Sequence, residues 1–164
     1  MIYIANITTK INTYKTSLKK TTMHVTSGLV FKVEFYFPAG SAGLMGVAVF
    51  DGLYQVWPST VGKFFTGEDQ LIDFDDMYLK EAAPFEFQCY TFNEDDKHPH
   101  FVSVRIGLVS SDVFLARFMP SRAPEDFVKM RGRMLKAKDE RAALQLQQMP
   151  QTPFKWMLKD GRTR

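Results

Sequence analysis

Two apolar runs between residues 29 and 57 constrain the fold more than any other part of the chain. In Leu29–Phe37 every odd position is apolar and the charged residues fall on even positions, so one strand face is buried and the other is partly wet. The second run contains Asp51-Gly52, a pair suited to the positive φ angles of a type I′ turn, and it stops at Pro58. These patterns predict antiparallel strands and a tight hairpin.

A second alternating segment follows Pro84. Phe85, Phe87 and Cys89 occupy one parity, and a polar turn over residues 93–99 separates them from a return strand over 101–109. With the shorter apolar segments, this makes seven or eight strands joined by short polar turns. The sequence therefore predicts an all-β, antiparallel sandwich resembling a jelly roll, with a C-terminal helix and a basic tail.

The two ends of the chain differ in composition from this body. Residues 1–22 are rich in Thr and Lys and are predicted as an N-terminal arm or an edge strand. Residues 23–119 are predicted as the sandwich domain. Residues 120–164 are predicted as a helix and tail, because Pro124 suits a first helical turn and the helical pattern lasts to about Gln148.

The helical segment carries apolar residues three and four positions apart, as in a heptad repeat. This stripe packs either on its own sandwich or on a neighbouring subunit. Exposed aromatic residues in the tail would be costly in isolation, which favours a partner surface there. The candidate partner-binding residues are Phe127, Met130, Met134, Leu144, Phe154 and Trp156.

Charge is distributed unevenly along the chain. Residues 1–23 carry four lysines and no acid, residues 24–123 carry 7 basic and 13 acidic groups, and residues 124–164 carry 10 basic and 5 acidic groups. Basic ends on an acidic body suit contacts with further copies or with a polyanion, and they equally suit solvated surfaces. The sequence has no apolar run of about 18 residues and no secretion signal, so we expect a soluble chain made in the cytoplasm.

The richest set of chemical groups lies in the loop over residues 93–100. Asp95, Asp96, His98 and His100 are candidate metal ligands, because carboxylates suit Ca²⁺ and imidazoles suit Zn²⁺ or Ni²⁺. The spacing matches no EF-hand or zinc motif, and Asp and Asn also cap turns through backbone hydrogen bonds. We therefore predict no metal and no cofactor.

Two other chemistries compete with a purely structural role. Asp73, Asp75 and Asp76 could act with the acidic loop as general acid and base, but the sequence has no phosphate cradle or nucleophile elbow, so no catalytic residue is predicted. A carbohydrate-binding sandwich would use aromatic faces for stacking. The candidate stacking residues are Tyr54, Trp57 and Tyr90.

Four stretches together carry a resemblance. They are Val25–Gly28, Phe37–Gly40 with Gly43-Leu44, Gln55–Pro58, and Asn93–Asp96 followed by Pro99-His100. As a set, over about residues 20–109, they resemble small uncharacterised proteins encoded among bacteriophage and prophage virion genes. The resemblance implies a structural virion protein with a β-sandwich body, and it carries over no catalytic or ligand positions.

Together, these observations predict a non-enzymatic structural protein of a bacteriophage virion, such as a head decoration, fibre-base or minor capsid protein. The expected partners are capsid, neck or tail proteins and further copies of the chain, with a trimer as the candidate oligomer. Membrane and nucleic acid are not expected as partners. The alternative is a carbohydrate-binding module of a receptor-binding structure, and a small metal-dependent enzyme ranks third.

Overall fold

The structure is a computed structural model that describes residues 1–110, residue 113 and residues 124–148. Within these residues the chain forms ten strands and a C-terminal helix. The strands are β1 (Ile2–Thr9), β2 (Lys19–His24), β3 (Gly28–Phe37), β4 (Met45–Asp51), β5 (Tyr54–Trp57), β6 (Phe65–Thr66), β7 (Gln70–Phe74), β8 (Tyr78–Lys80), β9 (Glu86–Asn93) and β10 (His100–Val109). The helix, α1, is Pro124–Gln148.

The strands form two antiparallel sheets of five strands each. Sheet A has the order β1-β10-β3-β7, with β8 also paired to β3, and sheet B has the order β2-β9-β4-β5, with β6 also paired to β4. Since β7 and β8 share one edge of β3, and β5 and β6 share one edge of β4, each sheet is four positions wide. The resulting strand order is that of a jelly roll. The predicted antiparallel sandwich with a C-terminal helix is confirmed, and its split edge strands raise the count from the predicted seven or eight to ten.

Consecutive strands repeatedly lie in opposite sheets. The sequence predicts that the segment over 101–109 returns along the preceding strand. This prediction is wrong, because β10 pairs with β1 and β3 in sheet A, whereas β9 pairs with β2 and β4 in sheet B. β9 and β10 each bury one face in the space between the sheets. Because the two strands lie in opposite sheets, these buried faces oppose each other across the core. The turn after β9 is therefore a connection between layers.

The N-terminal segment belongs to the sandwich. β1 pairs with β10 from Ile2 to Thr9, and β2 pairs with β9 from Lys19 to His24. Of the two alternatives for residues 1–22, the structure has the edge strands, and the expected domain boundary after residue 22 falls inside β2.

The central strand β3 departs from simple alternation at one point. Its residues 33, 35 and 37 face the core as predicted, but Val30 is fully buried in the core in place of Leu29 or Phe31. The register shifts between Gly107 and Leu108 of β10, so β3 has one more residue across this step than its partner. Such a bulge reverses the direction of alternation, which a strict period of two cannot anticipate.

The hairpin between β4 and β5 lies one residue later than predicted. Asp51 pairs with Tyr54, so the two-residue loop is Gly52-Leu53. Gly52 has φ of 61°, the conformation required at the first loop position of a type II′ turn. Asp51 is consequently a strand residue, and its carboxylate is available to side chains of β8.

The main core lies between the two sheets and is rich in aromatic side chains. Phe35, Phe37 and Phe87 are completely buried there. Cys89 is buried beside them, and loss of solvation raises the pKa of its thiol to about 12. In the described part of the chain, no helix is long and apolar enough to cross a membrane.

Candidate functional site

Helix α1 packs against its own sandwich. Met130 and Met134 are half-buried and pack against a small apolar cluster of Leu29, Leu79 and Val109 at the outer end of sheet A. This contact accounts for the burial of both methionines, and their binding to a partner stays a prediction.

Three polar contacts fix α1 along its length. Arg131 donates two hydrogen bonds of 2.8 Å to Glu81, and Lys138 Nζ lies 3.7 Å from Asp51 Oδ2. Near the end of the helix, the buried side chain of Gln145 donates to the carbonyl oxygens of Gln55 (2.6 Å) and Ser59 (3.3 Å). Because these contacts involve both sheets, the helix spans one open side of the sandwich.

A buried ion pair lies under the middle of the helix. Lys80 is 2% exposed, and its Nζ donates to Asp51 Oδ1 at 2.5 Å. The Tyr78 hydroxyl donates to Asp51 Oδ2 at 2.7 Å. Burial, and then this hydrogen bond, raise the pKa of Tyr78. Asp51 therefore joins the end of β4 in sheet B to β8 in sheet A and, through Lys138, to α1.

A cleft of about 290 Å³ lies between α1 and the sandwich, beside this ion pair. The sandwich side is formed by Tyr54 and by residues 76–79, and the helix contributes Arg133 and Arg141. Burial raises the pKa of Tyr54, and the nearby Arg141 guanidinium opposes part of that shift. The cleft, which we call the α1 cleft, thus combines an aromatic wall with cationic groups.

The acidic loop over residues 93–100 is organised by its own hydrogen bonds. Asn93 is buried and accepts from the Asp95 amide at 3.0 Å, while Asp95 Oδ1 accepts from the amides of Lys97 (2.6 Å) and His98 (3.2 Å). Asp95 Oδ2 lies 2.8 Å from His100 Nε2. The Lys97 amide and then His100 lower the pKa of Asp95 to about 2.

These contacts agree with turn capping. Of the four candidate ligands only Asp95 and His100 meet, whereas Asp96 and His98 are exposed. Among the residues that the structure describes, no three carboxylate, imidazole or thiol groups are placed to hold a metal ion.

The second acidic cluster is also engaged elsewhere. Lys32 Nζ lies 2.7 Å from Asp73 and 3.5 Å from Asp75. Asp76 accepts from Trp57 Nε1 and from the Met77 amide, each at 2.8 Å. The structure brings none of these three carboxylates into contact with Asp95 or His100.

The three candidate stacking residues have different surroundings. Trp57 and Tyr90 are buried, at 2% and 7% exposure, so their ring faces are covered by the protein. Tyr54 is half-buried and lines the α1 cleft. Only Tyr54 therefore keeps a position where a ligand could stack.

The remaining partner-binding candidates fall into two groups. Leu144 is exposed at 55%, because the residue that α1 buries at this height is Gln145. Phe154, Trp156 and the side chain of Phe127 lie outside the part of the chain that the structure describes.

Sequence reasoning did not single out Lys80, Arg133 or the helix-fixing contacts. The spacing of Arg133, Ala137 and Arg141 at four-residue intervals places them on one helix face, which was a usable signal. The burial of Lys80 had no such signal, because its partner Asp51 is distant in sequence.

Comparison with known proteins adds no relative to this description. No protein-family model matches the chain, and no curated protein matches it significantly.

Proposed function

We propose that this chain is a non-enzymatic structural protein of a bacteriophage virion. It serves as a head decoration, fibre-base or minor capsid protein, and it assembles with capsid, neck or tail proteins and with further copies of itself. The observation that carries the proposal is the jelly-roll strand order, an architecture that recurs in viral capsid domains and also in lectins and cupins. Because one fold hosts several functions, the proposal also needs support from the surface.

Exposed apolar side chains on α1 provide that support. Val128, Leu135 and Leu146 are exposed at 65%, 36% and 68%, and their spacing of seven and eleven residues places them on one flank of the helix. Apolar area of this kind suits contact with a neighbouring subunit. Ile2 and Ile4 of the edge strand β1 are likewise exposed, at 70% and 57%.

Many weak contacts suffice in a virion. When copies occupy a lattice, each further contact forms at a high effective concentration, so an interface that is weak in solution becomes stable in the particle. The proposal therefore accommodates modest self-association of the free protein.

The direct test is the composition of particles made by the phage or prophage that encodes the chain. We expect mass spectrometry of purified particles to detect the chain in fixed stoichiometry, and cryo-electron microscopy to place a jelly roll of this topology on the particle. Particles that lack the chain after stringent purification contradict the proposal.

A variant with Leu135→Ser and Leu146→Ser tests the exposed flank of α1. We expect it to remain folded but to incorporate less, because the flank loses apolar area without loss of a described internal contact. Lys136→Ser with Gln147→Ser is the matched control, since both of these side chains are exposed on the same helix. Equal incorporation of the two double variants contradicts a role for this flank.

A further inference from the structure

The α1 cleft combines features that the proposed structural role does not use. It is closed on one side by β5 and by residues 76–79, which lead into β8 and form its first part, and on the other by the helix. Because α1 is fixed at Glu81, Asp51, Gln55 and Ser59, the relative positions of the two walls are determined by directed contacts. The cleft is therefore a defined feature of the folded chain.

Two guanidinium groups of the helix wall are available to a ligand. Within residues 1–110 and 124–148, no carboxylate lies at ion-pair distance from Arg133 or Arg141, in contrast to Arg131 and Lys138. Asp51 already has the buried Lys80 ammonium as its closer partner, so Lys138 adds to the positive charge of this wall, and the described lining residues include a single carboxylate, Asp76. An excess of positive charge in a recessed site favours an anionic ligand, and guanidinium groups suit carboxylate geometry.

The opposite wall offers an aromatic ring and hydrogen-bond acceptors. The ring of Tyr54 is held nearly parallel to that of Tyr78, at 13° and with 6.4 Å between centroids. Each carboxylate oxygen of Asp76 accepts one hydrogen bond, from Trp57 or from Met77, and each has a further lone pair. An aromatic platform beside a carboxylate acceptor suits the apolar face and the hydroxyl groups of a sugar ring.

We propose that the α1 cleft binds an acidic sugar residue. Its carboxylate pairs with Arg133 and Arg141, its ring packs on Tyr54, and a hydroxyl group donates to Asp76. A simple inorganic anion would leave the aromatic wall unused and would meet Asp76 with no proton to offer it. The proposal concerns a ligand site and holds or fails independently of incorporation into virions.

The test is an NMR titration of the full-length, ¹⁵N-labelled protein with glucuronic acid, with glucose as the neutral counterpart. We expect shifts confined to residues around Tyr54, residues 76–79 and the middle of α1, and weaker binding of glucose by about tenfold, as expected for loss of a charge-assisted contact. Arg141→Gln and Arg133→Gln should each weaken glucuronic acid binding by a similar factor. Lys136→Gln, which removes an equal charge outside the cleft, should leave binding unchanged.

Several outcomes overturn the proposal. If glucuronic acid causes no shifts, or causes shifts outside the cleft, the cleft is not the binding site. If Arg141→Gln and Lys136→Gln weaken binding equally, the attraction is non-specific and depends only on net charge. Inorganic phosphate that binds as tightly as glucuronic acid indicates a simple anion site, and a short Glu-rich peptide that binds more tightly indicates a peptide site. Tyr54→Phe should retain binding through its ring and Tyr54→Ala should lose it, so equal binding by these two variants removes the stacking step.

Discussion

Asp95 is the most heavily hydrogen-bonded carboxylate of the acidic loop, and this predicts a pH dependence. Its pKa falls from an ordinary 3.8 to about 2 in the folded chain. A group whose pKa is lowered by folding stabilises the protein above its unfolded pKa, and this contribution disappears as the pH falls towards the folded pKa. We therefore expect Asp95→Asn to be less stable than the natural chain at neutral pH, with the difference shrinking between about pH 4 and pH 2.

Urea unfolding at a series of pH values measures this difference. Asp96→Asn is the control, because Asp96 is exposed in the same loop. A stability difference for Asp95→Asn that stays constant down to the lowest pH would contradict the prediction.

Substitution of either member of the buried Lys80–Asp51 pair should destabilise the fold, but by unequal amounts. Asp51→Asn leaves the Lys80 ammonium buried without a counter-charge, which typically costs about 3–5 kcal/mol of unfolding free energy. Lys80→Met removes the buried cation while Asp51 keeps Tyr78 and Lys138 as partners, so we expect a smaller loss. Equilibrium unfolding of the two variants checks this order, and a greater loss for Lys80→Met would refute it.

At the residue scale, the sequence predicted local hydrogen bonding better than long-range pairing. Capping by Asp95 follows from its position in a polar turn, and the alternating pattern correctly predicts that Cys89 is buried in a strand. The burial of Lys80 has no such local signal. Tyr78, Leu79 and Lys80 are all buried, so the short strand β8 shows no alternation. Its burial depends on a carboxylate 29 residues away.

At the scale of elements, α1 shows why a heptad pattern was only partly correct. Met130, Met134, Lys138 and Gln145 contact the sandwich, a spacing close to the 3.6 residues of a straight helix. A strict heptad drifts by about 20° per repeat relative to this face. By the third turn beyond Met134, the heptad pattern therefore places Leu144 on the packed face, whereas the residue that the structure buries there is Gln145.

Removal of the helix tests how far the sandwich depends on it. The main core between the sheets contains no residue of α1, so a chain ending at Ser110 should still unfold cooperatively. It should lose on the order of 2–3 kcal/mol, because the cluster of Leu29, Leu79 and Val109 loses Met130 and Met134.

Urea unfolding followed by tryptophan fluorescence suits this comparison, since Trp57 lies in the core. A chain ending at Gln148 is the control and keeps every described contact. If the chain ending at Ser110 fails to fold, the helix is an essential part of the core.

At the scale of the whole molecule, composition and turn spacing predicted the fold class but not the strand pairing. Alternation specifies which residues are buried, and it is the same whether two strands form a hairpin or face each other across a core. Ile2 and Gly107 lie near opposite ends of the sandwich in sequence, so no local pattern indicates that they pair. The bulge in β3 likewise depends on its pairing with β10, which the sequence of β3 alone does not indicate.

The pairing of β1 with β10 has a kinetic consequence. β1 is synthesised before β10 and cannot form this ladder until the chain has been made as far as Val109, so the hydrogen-bonding edge of β1 stays unpaired while β2 to β9 are made. Chains dominated by such distant pairings refold slowly, on the order of milliseconds to seconds. Stopped-flow refolding should place this protein in that range, and a cell that makes it in many copies would need to protect the unpaired strand from aggregation.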